Sequence, residues 1–179
     1  MKHFFKRALA VMTSVIVSLS AVLLVPDGII VTALDTQGID GVVKQIETSL
    51  NMSGALTEDG KLYIWGKTKN FFGSYKYEYT PKLVAENVDQ FALGGDDVGY
   101  VTKQGNYYAC GYNFYGELGD GTTNKYISEP KLIRTNVKKI YYDDAGWKGA
   151  LIDTDGTLFM YRENVYGSLG NNTKSGSVT

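Results

Sequence analysis

Three stretches of this chain are versions of one another, and that constrains its fold more than any other feature. They read "GALTEDGKLYIWG" (54–66), "GYVTKQGNYYACG" (99–111) and "GALIDTDGTLFMYR" (149–162), with one residue inserted in the third. Their turn glycines, Gly60, Gly105 and Gly156, stand 45 and 51 residues apart. Further along, "PKLVAENV" (81–88) matches "PKLIRTNV" (130–137) at five of eight positions, and "GELG" (116–119) matches "GSLG" (167–170). In the first copy that last element reads "GSYK" (73–76). Common order at nearly constant spacing marks a repeat, in which one supersecondary unit is used again.

Each copy reads as strands. "ALT-EDG-KLYIW", "YVT-KQG-NYYAC" and "ALI-DTDG-TLFMY" each place two short β-favouring runs around a Gly turn, the hairpin signal. The second run is apolar at nearly every position: Leu62 to Trp65, Tyr107 to Cys110, Leu158 to Tyr161. A half-exposed strand would alternate, so these strands are expected to be covered on both faces. "VVKQI" (42–46), "VDQFAL" (88–93) and "VKKIYY" (137–142) supply a strand before each hairpin, and "KLV" and "KLI" a short outer one. About four strands per repeat, with no helical period after the N-terminus, predict an all-β stack of propeller blades. The blades are expected at 43–87, 88–136 and 137–179, the last one truncated, after a linker at 34–42.

The N-terminus has a different character. Lys2, Lys6 and Arg7 precede the uncharged apolar run "ALAVMTSVIVSLSAVLLV" (8–25), Pro26-Asp27-Gly28 breaks it, and "VTA" (31–33) ends in small residues. This is the form of a secretory signal helix, residues 1–33, with cleavage expected after Ala33. If it is not cleaved, this segment is the chain's one route to a membrane. Removing it takes three of the 18 basic and one of the 19 acidic residues, so the mature net charge is −3. A mildly acidic chain whose one basic doublet is Lys138-Lys139 has no nucleic-acid footprint.

Taken together, these motifs resemble the RCC1 family of seven-bladed propellers. The family pattern runs through a small-Gly-Gly-x-His-Ser-x-Ala-Leu strand, an Asp-Gly turn and a strand ending Trp-Gly. An Asn-x-x-Gly-x-Leu-Gly loop and a Pro with apolar followers come next. This chain matches at Ala55-Leu56, Asp59-Gly60, Trp65-Gly66, Gly111, Asn113, Gly116-Glu117-Leu118-Gly119 and Pro130, then at Ala150-Leu151, Asp155-Gly156, Asn164, Gly167 and Leu169-Gly170. The resemblance covers residues 43–179. Met52-Ser53, Asp97-Val98 and Trp147-Lys148 occupy the His-Ser positions, and Arg162 stands where Gly66 and Gly111 do. Three blades do not close a ring, so the resemblance implies the N-terminal part of a longer protein. Residues 34–179 alone are expected to associate or dissolve poorly, because an open stack leaves blade faces bare.

Catalytic chemistry finds little footing. His3, the only histidine, lies in the signal, which removes Ser-His-Asp, Cys-His and His-based zinc arrangements from the mature residues. Cys110 is expected to be a small buried apolar residue. The loop "CGYNFYGELGDGTTN" (110–124) has neither a P-loop ending nor a following helix, so it reads as a turn rather than a phosphate cradle. Leu118 and Leu169 are expected to plug inward. The acidic doublets Asp96-Asp97 and Asp143-Asp144 sit in roughly equivalent loops, but adjacent strand residues point to opposite faces. They read as solvated charge, and "DGTTN" (120–124) lacks the remaining ligands of a calcium loop. Tyr75, Tyr77 and Tyr79 alternate in a way that favours protein or glycan contact. The expectation is an exported, non-catalytic module without metal or cofactor, at or outside the cell surface, that binds another protein. Family kinship also implies two alternatives. Secreted bacterial proteins of similar propeller type inhibit β-lactamases, and nuclear members exchange guanine nucleotides on a small GTPase.

Overall fold

The computed structural model describes residues 22–24, 30–32, 38–69, 75–123, 126–143, 148–174 and 177–178, in two compact units, Met1–Gln37 and Gly38–Thr179. In the first, β1 (Val22–Leu24) pairs antiparallel with β2 (Ile30–Thr32). Most of the expected signal helix, and the expected cleavage point after Ala33, lie outside the described residues. The described parts of residues 1–33 are both strand, Ile30–Thr32 and, paired with it, Val22–Leu24. The first of these is rich in β-branched side chains, which favour extended backbone. None of the described residues is helical, and no helix among them is long and apolar enough to cross a membrane.

The second unit is three four-stranded antiparallel meanders. Blade 1 is β3 (Val43–Thr48), β4 (Met52–Thr57), β5 (Leu62–Lys69) and β6 (Tyr75–Ala85). Blade 2 is β7 (Val88–Leu93), β8 (Asp97–Thr102), β9 (Tyr107–Tyr112) and β10 (Tyr126–Arg134). Blade 3 is β11 (Val137–Tyr142), β12 (Lys148–Asp153), β13 (Leu158–Glu163) and β14 (Ser177–Val178). The outer strands β6 and β10 are longer than "KLV" and "KLI" suggest. They run through Pro81 and Pro130, and the ladder shifts register beside each one. Proline lacks the N–H a regular ladder needs, and a bulge on an edge strand accommodates it.

The Gly turns are built alike. Gly60, Gly105 and Gly156 each donate to the carbonyl three residues back, on Thr57, Thr102 and Asp153, at 2.8–3.1 Å. All three have positive φ, 98°, 78° and 91°, which a side chain would resist. With the turns equal in length, the extra residues of the third copy fall upstream. The connection before β12 covers 143–147, against 49–51 and 94–96 in the other blades. The "GAL" identity is therefore out of structural register by one. Ala150 faces Met160, as Gly54 faces Ile64 and Gly99 faces Ala109. Lys148-Gly149, not Trp147-Lys148, holds the place of Met52-Ser53. A one-residue slip sends every side chain to the other face, so this shift reassigns the whole strand.

Two cores lie between blades. The first joins Leu56, Leu62 and Ile64 of blade 1 to Val88, Phe91 and Cys110 of blade 2. The second joins Val101, Tyr107 and Leu118 of blade 2 to Ile140, Tyr142 and Tyr161 of blade 3. A Cβ on Gly54 would stand 2.6 Å from Phe91, and one on Gly99 2.8 Å from the Tyr142 hydroxyl. The next blade's aromatic thus dictates glycine at both positions. Polar bridges tie the junctions further. Gln45 Nε2 donates to Phe91 O at 2.9 Å. Its counterpart Gln90 donates to Lys138 O at 2.6 Å and accepts from Ile140 N at 3.1 Å. Val88 N and Val137 N donate to the turn carbonyls of Gly60 and Gly105, both at 2.9 Å. Asn87 and Asn136, at φ 58° and 59°, make the sharp step from one blade to the next. Asparagine tolerates that left-handed conformation better than most residues.

Candidate functional site

In a meander, the connections between first and second strands and between third and fourth strands share one end of the stack. That end carries the acidic doublets and the Gly loops. Hydrogen bonds join the two kinds of loop: Lys67 N to Asn51 O at 2.8 Å in blade 1, and Tyr112 N to Asp96 O at 3.3 Å in blade 2. The approach is close enough to require glycine. Gly66 and Gly111 have φ 105° and 123°, and a Cβ on either would collide with the carbonyl of Asn51 or Asp96.

Each Gly loop is organised around one buried asparagine. Asn113 Oδ1 accepts from Leu118 N at 3.0 Å, while its amide donates to Asp120 Oδ1, Thr122 O and Thr122 Oγ1 at 3.0–3.2 Å. Asn164 repeats the scheme with Leu169 N, Asn171 Oδ1, Thr173 O and Thr173 Oγ1 at 3.0–3.1 Å. Asp120 and Asn171 play one part, each accepting from the N–H and hydroxyl of the threonine two residues on. Burial alone would raise the Asp120 carboxyl. Hydrogen bonds from Lys131, Thr122 and Asn113 outweigh it and hold the pKa at about 2. Its oxygens thus serve protein donors. Gly116, Gly119, Gly167 and Gly170 all have positive φ inside these loops, which complete the turn around Asn113 and Asn164. Leu118 is fully buried against blade 3, whereas Leu169 is half-buried.

What the loops present outward is apolar and aromatic. Phe114 and Tyr115 follow Asn113, and Val165 and Tyr166 follow Asn164; Tyr115 is 60 % and Tyr166 92 % exposed. Phe114 stacks on Tyr112, with ring centroids 4.8 Å apart, and Tyr126 meets both edge-on. Tyr77 and Tyr79 stack on each other on β6, with Tyr79 the more exposed. The Tyr75 and Lys76 side chains, Asp144, Trp147 and Gly73-Ser74 of "GSYK" lie outside the described residues. Trp65 is half-buried.

The acidic residues do not converge. Asp97 is buried within β8, Asp96 and Asp143 are half-buried in separate loops, and no group of three or more His, Cys, Asp or Glu among the described residues forms a metal cluster. Cys110 is buried, and desolvation, with the charges of Asp97 and Glu129, pushes its thiol well above the usual range. A protonated, enclosed thiol is not a nucleophile.

No family model matches the chain. Curated relatives do. It is 25 % identical over 148 residues to the ultraviolet-B receptor UVR8 of Arabidopsis thaliana, covering 78 % of this chain and 34 % of that protein. It is 29 % identical over 126 residues to human RCC2, covering 66 % and 24 %. It is 30 % identical over 130 residues to the human E3 ubiquitin-protein ligase HERC2, covering 66 % and 3 %. These matches support an RCC1-family relationship. The fold agrees with solved RCC1-type structures. Human WBSCR16 aligns with a TM-score of 0.65 at 23 % identity, over 78 % of this chain and 37 % of that one. Prp20p of Saccharomyces cerevisiae aligns with a TM-score of 0.64 at 17 % identity, over 76 % and 36 %. The chain spans about a third or less of the curated relatives it matches.

Four features of the blades carry no separate signal in the RCC1-like motifs: the Gln45 and Gln90 bridges, the outer-strand lengths, the third hairpin's register, and a tyrosine trio. In that trio, the Tyr107 hydroxyl bonds those of Tyr142 at 2.6 Å and Tyr161 at 3.1 Å. The Asn87 and Asn136 steps could have been found, since "NV" recurs at 87–88 and 136–137.

Proposed function

We propose that this chain is an exported, non-catalytic RCC1-type module whose loop-bearing end grips a protein partner. One observation carries the reading. Successive blades set an exposed apolar–Tyr pair, Phe114-Tyr115 and Val165-Tyr166, on loops pinned by buried Asn113 and Asn164. Rigidly held aromatic side chains are the usual anchors of protein interfaces, because little entropy is lost on contact. Relatives of this fold fit the idea. Prp20p is described with binding properties toward Gsp1p and histones, and yeast RCC1 with bound Kap60.

Photo-crosslinking from the neighbouring exposed positions 114 and 165 followed by mass spectrometry tests it. One partner captured from both positions, and lost on Tyr115→Glu with Tyr166→Glu, supports the reading. Capture that is indifferent to both substitutions overturns it. The captured species also decides between finer roles. An enzyme that slows when bound marks an inhibitor, and a small GTPase that releases nucleotide faster marks an exchange factor. Export is tested by N-terminal sequencing of protein recovered from the medium. A start at Leu34 supports export with cleavage, and retention of Met1 on protein found only in the cytosol rejects it.

A further inference from the structure

Blade 2 has a neighbouring blade on both faces, so what its loop-bearing end exposes is left open by the fold itself. One row of residues crosses that end. Asp97 pairs with Gly111, which sets Asp96 opposite Tyr112, and Tyr112 pairs in turn with Tyr126. Tyr112 N donates to Asp96 O at 3.3 Å. Phe114 stacks on the Tyr112 ring and is 37 % exposed. Asp96 is half-buried, and its Oδ1 is enclosed without a hydrogen-bond partner. A carboxylate with one oxygen unserved gains most from a cationic donor at the other. Acids outnumber bases around it. Residues 94–97 and 113–125 hold Asp96, Asp97, Glu117 and Asp120 against one base, Lys125, and Lys131 of β10 pairs with Asp120 at 2.9 Å.

The second junction shows what a ring beside a carboxylate can hold. Arg134 Cζ lies 3.9 Å from the centroid of the Phe159 ring, while its Nη2 donates to Asp153 Oδ2 at 3.2 Å. A guanidinium does both at once because it is planar, with a face for the ring and an N–H edge for the carboxylate. We propose that the loop-bearing end of blade 2 takes an arginine of the protein partner in the same way, its guanidinium over Phe114 and its N–H groups on Asp96. This contact presupposes that the loop end is the partner-binding surface, and it fixes the partner's chemistry as a basic, arginine-bearing segment. It belongs to blade 2 alone of the first two blades, since Asn51 and Lys67 stand where Asp96 and Tyr112 do. A lysine, as a compact point charge, would serve Asp96 but give up the flat contact with the ring.

Fluorescence anisotropy on the full chain tests this with a labelled peptide alternating Arg and Gly, and with Lys-Gly and Glu-Gly peptides of the same length. The Arg peptide is expected to bind most tightly and the Glu peptide not at all. Asp96→Asn and Phe114→Ala should each raise the dissociation constant for the Arg peptide by about fivefold or more, and shrink its advantage over the Lys peptide. Glu58→Gln, in the exposed turn at the opposite end of blade 1, should change neither. Equal binding of the Arg and Lys peptides overturns the proposal, as does binding indifferent to Asp96→Asn. Capture of the natural partner separates this contact from the role of the loop end as a whole. A partner caught from position 165 in the wild type and lost in Asp96→Asn supports the arginine contact. One caught equally in both overturns the contact and leaves the loop end's role standing. The peptide series decides the contact even where no partner is caught. Thermal melts of each variant confirm that it is folded.

Discussion

Blades 2 and 3 come from one repeat, share a turn geometry and carry the same asparagine-centred loop. They differ in what lies beside them. Blade 2 is enclosed by β-sheets on both faces, and its third strand alternates Tyr107 and Ala109 toward one neighbour with Tyr108 and Cys110 toward the other. Blade 3 packs one face, through Tyr142, Leu151 and Tyr161, and leaves Leu158 and Tyr141 exposed on the other. Gly54 and Gly99 cannot change because the next blade's aromatic stands over each, whereas the equivalent Ala150 is only half-buried. A repeat protein of this kind fixes its hydrogen bonds within the unit and its burial between units.

The leucines that close the two loops measure this difference most directly. Leu118→Ala should cost about 2–5 kcal/mol, the usual range for truncating an enclosed leucine. Leu169→Ala, half-exposed, should cost well under half of that. Urea titration of both variants in dilute solution is the check. Equal losses would mean that enclosure by the next blade does not set the energetics of this position.

A smaller contrast is expected one strand inward. Tyr107 is enclosed and its hydroxyl bonds both Tyr142 and Tyr161. Desolvation, reinforced by the two neighbouring phenols, raises its pKa well above the usual value, so it stays a neutral donor and acceptor. Tyr107→Phe keeps the packing and removes these bonds, which should cost about 1 kcal/mol. Leu158→Ser, at the same place in blade 3, should fall within about 0.5 kcal/mol of wild type. A larger effect at 158 in dilute solution would show that its face is covered after all.

The sequence reveals the repeat, the strand order and the turn positions, because Gly turns and β-branched or aromatic runs are local signals. It misleads at the third hairpin. There the identity of "GAL" at 54–56 and 149–151 outweighs the turn length, which is what sets register. The Gln45 and Gln90 bridges join strands 45 or more residues apart, and nothing local to "KQI" or "DQF" announces them. The two-sided burial inferred from unbroken apolar runs holds for Leu62 to Ile64 and for most of Tyr107 to Cys110. It does not hold for Leu158, since whether a second neighbour covers a strand is not written in that strand. At the loop end, the glycines show where the chain turns. The function of Asn113 and Asn164 as hubs appears only once their amides are seen reaching nine residues ahead.

The smallest effect concerns the one difference among the side chains bonded to the two asparagine hubs, Asp120 against Asn171. The Asp120 carboxyl sits at about 2, below the usual value near 4, so folding favours its ionised form. The stability it contributes is fully present above about pH 4 and is lost as the pH falls toward 2. Asp120→Asn copies the third loop. It keeps an acceptor for Asn113 and Thr122, and removes the ionisable group and its 2.9 Å pair with Lys131. Stability near neutrality should fall by about 1 kcal/mol or less, since Lys131 is half-exposed. The decline between pH 4 and pH 2 should flatten. Asp120→Ala removes the acceptor too and leaves enclosed donors unpaired, at about 1–3 kcal/mol. Thermal melts of the three proteins across this pH range separate the cases. If Asn costs as much as Ala, charge rather than acceptor geometry holds the second loop, and the two loops are not equivalent.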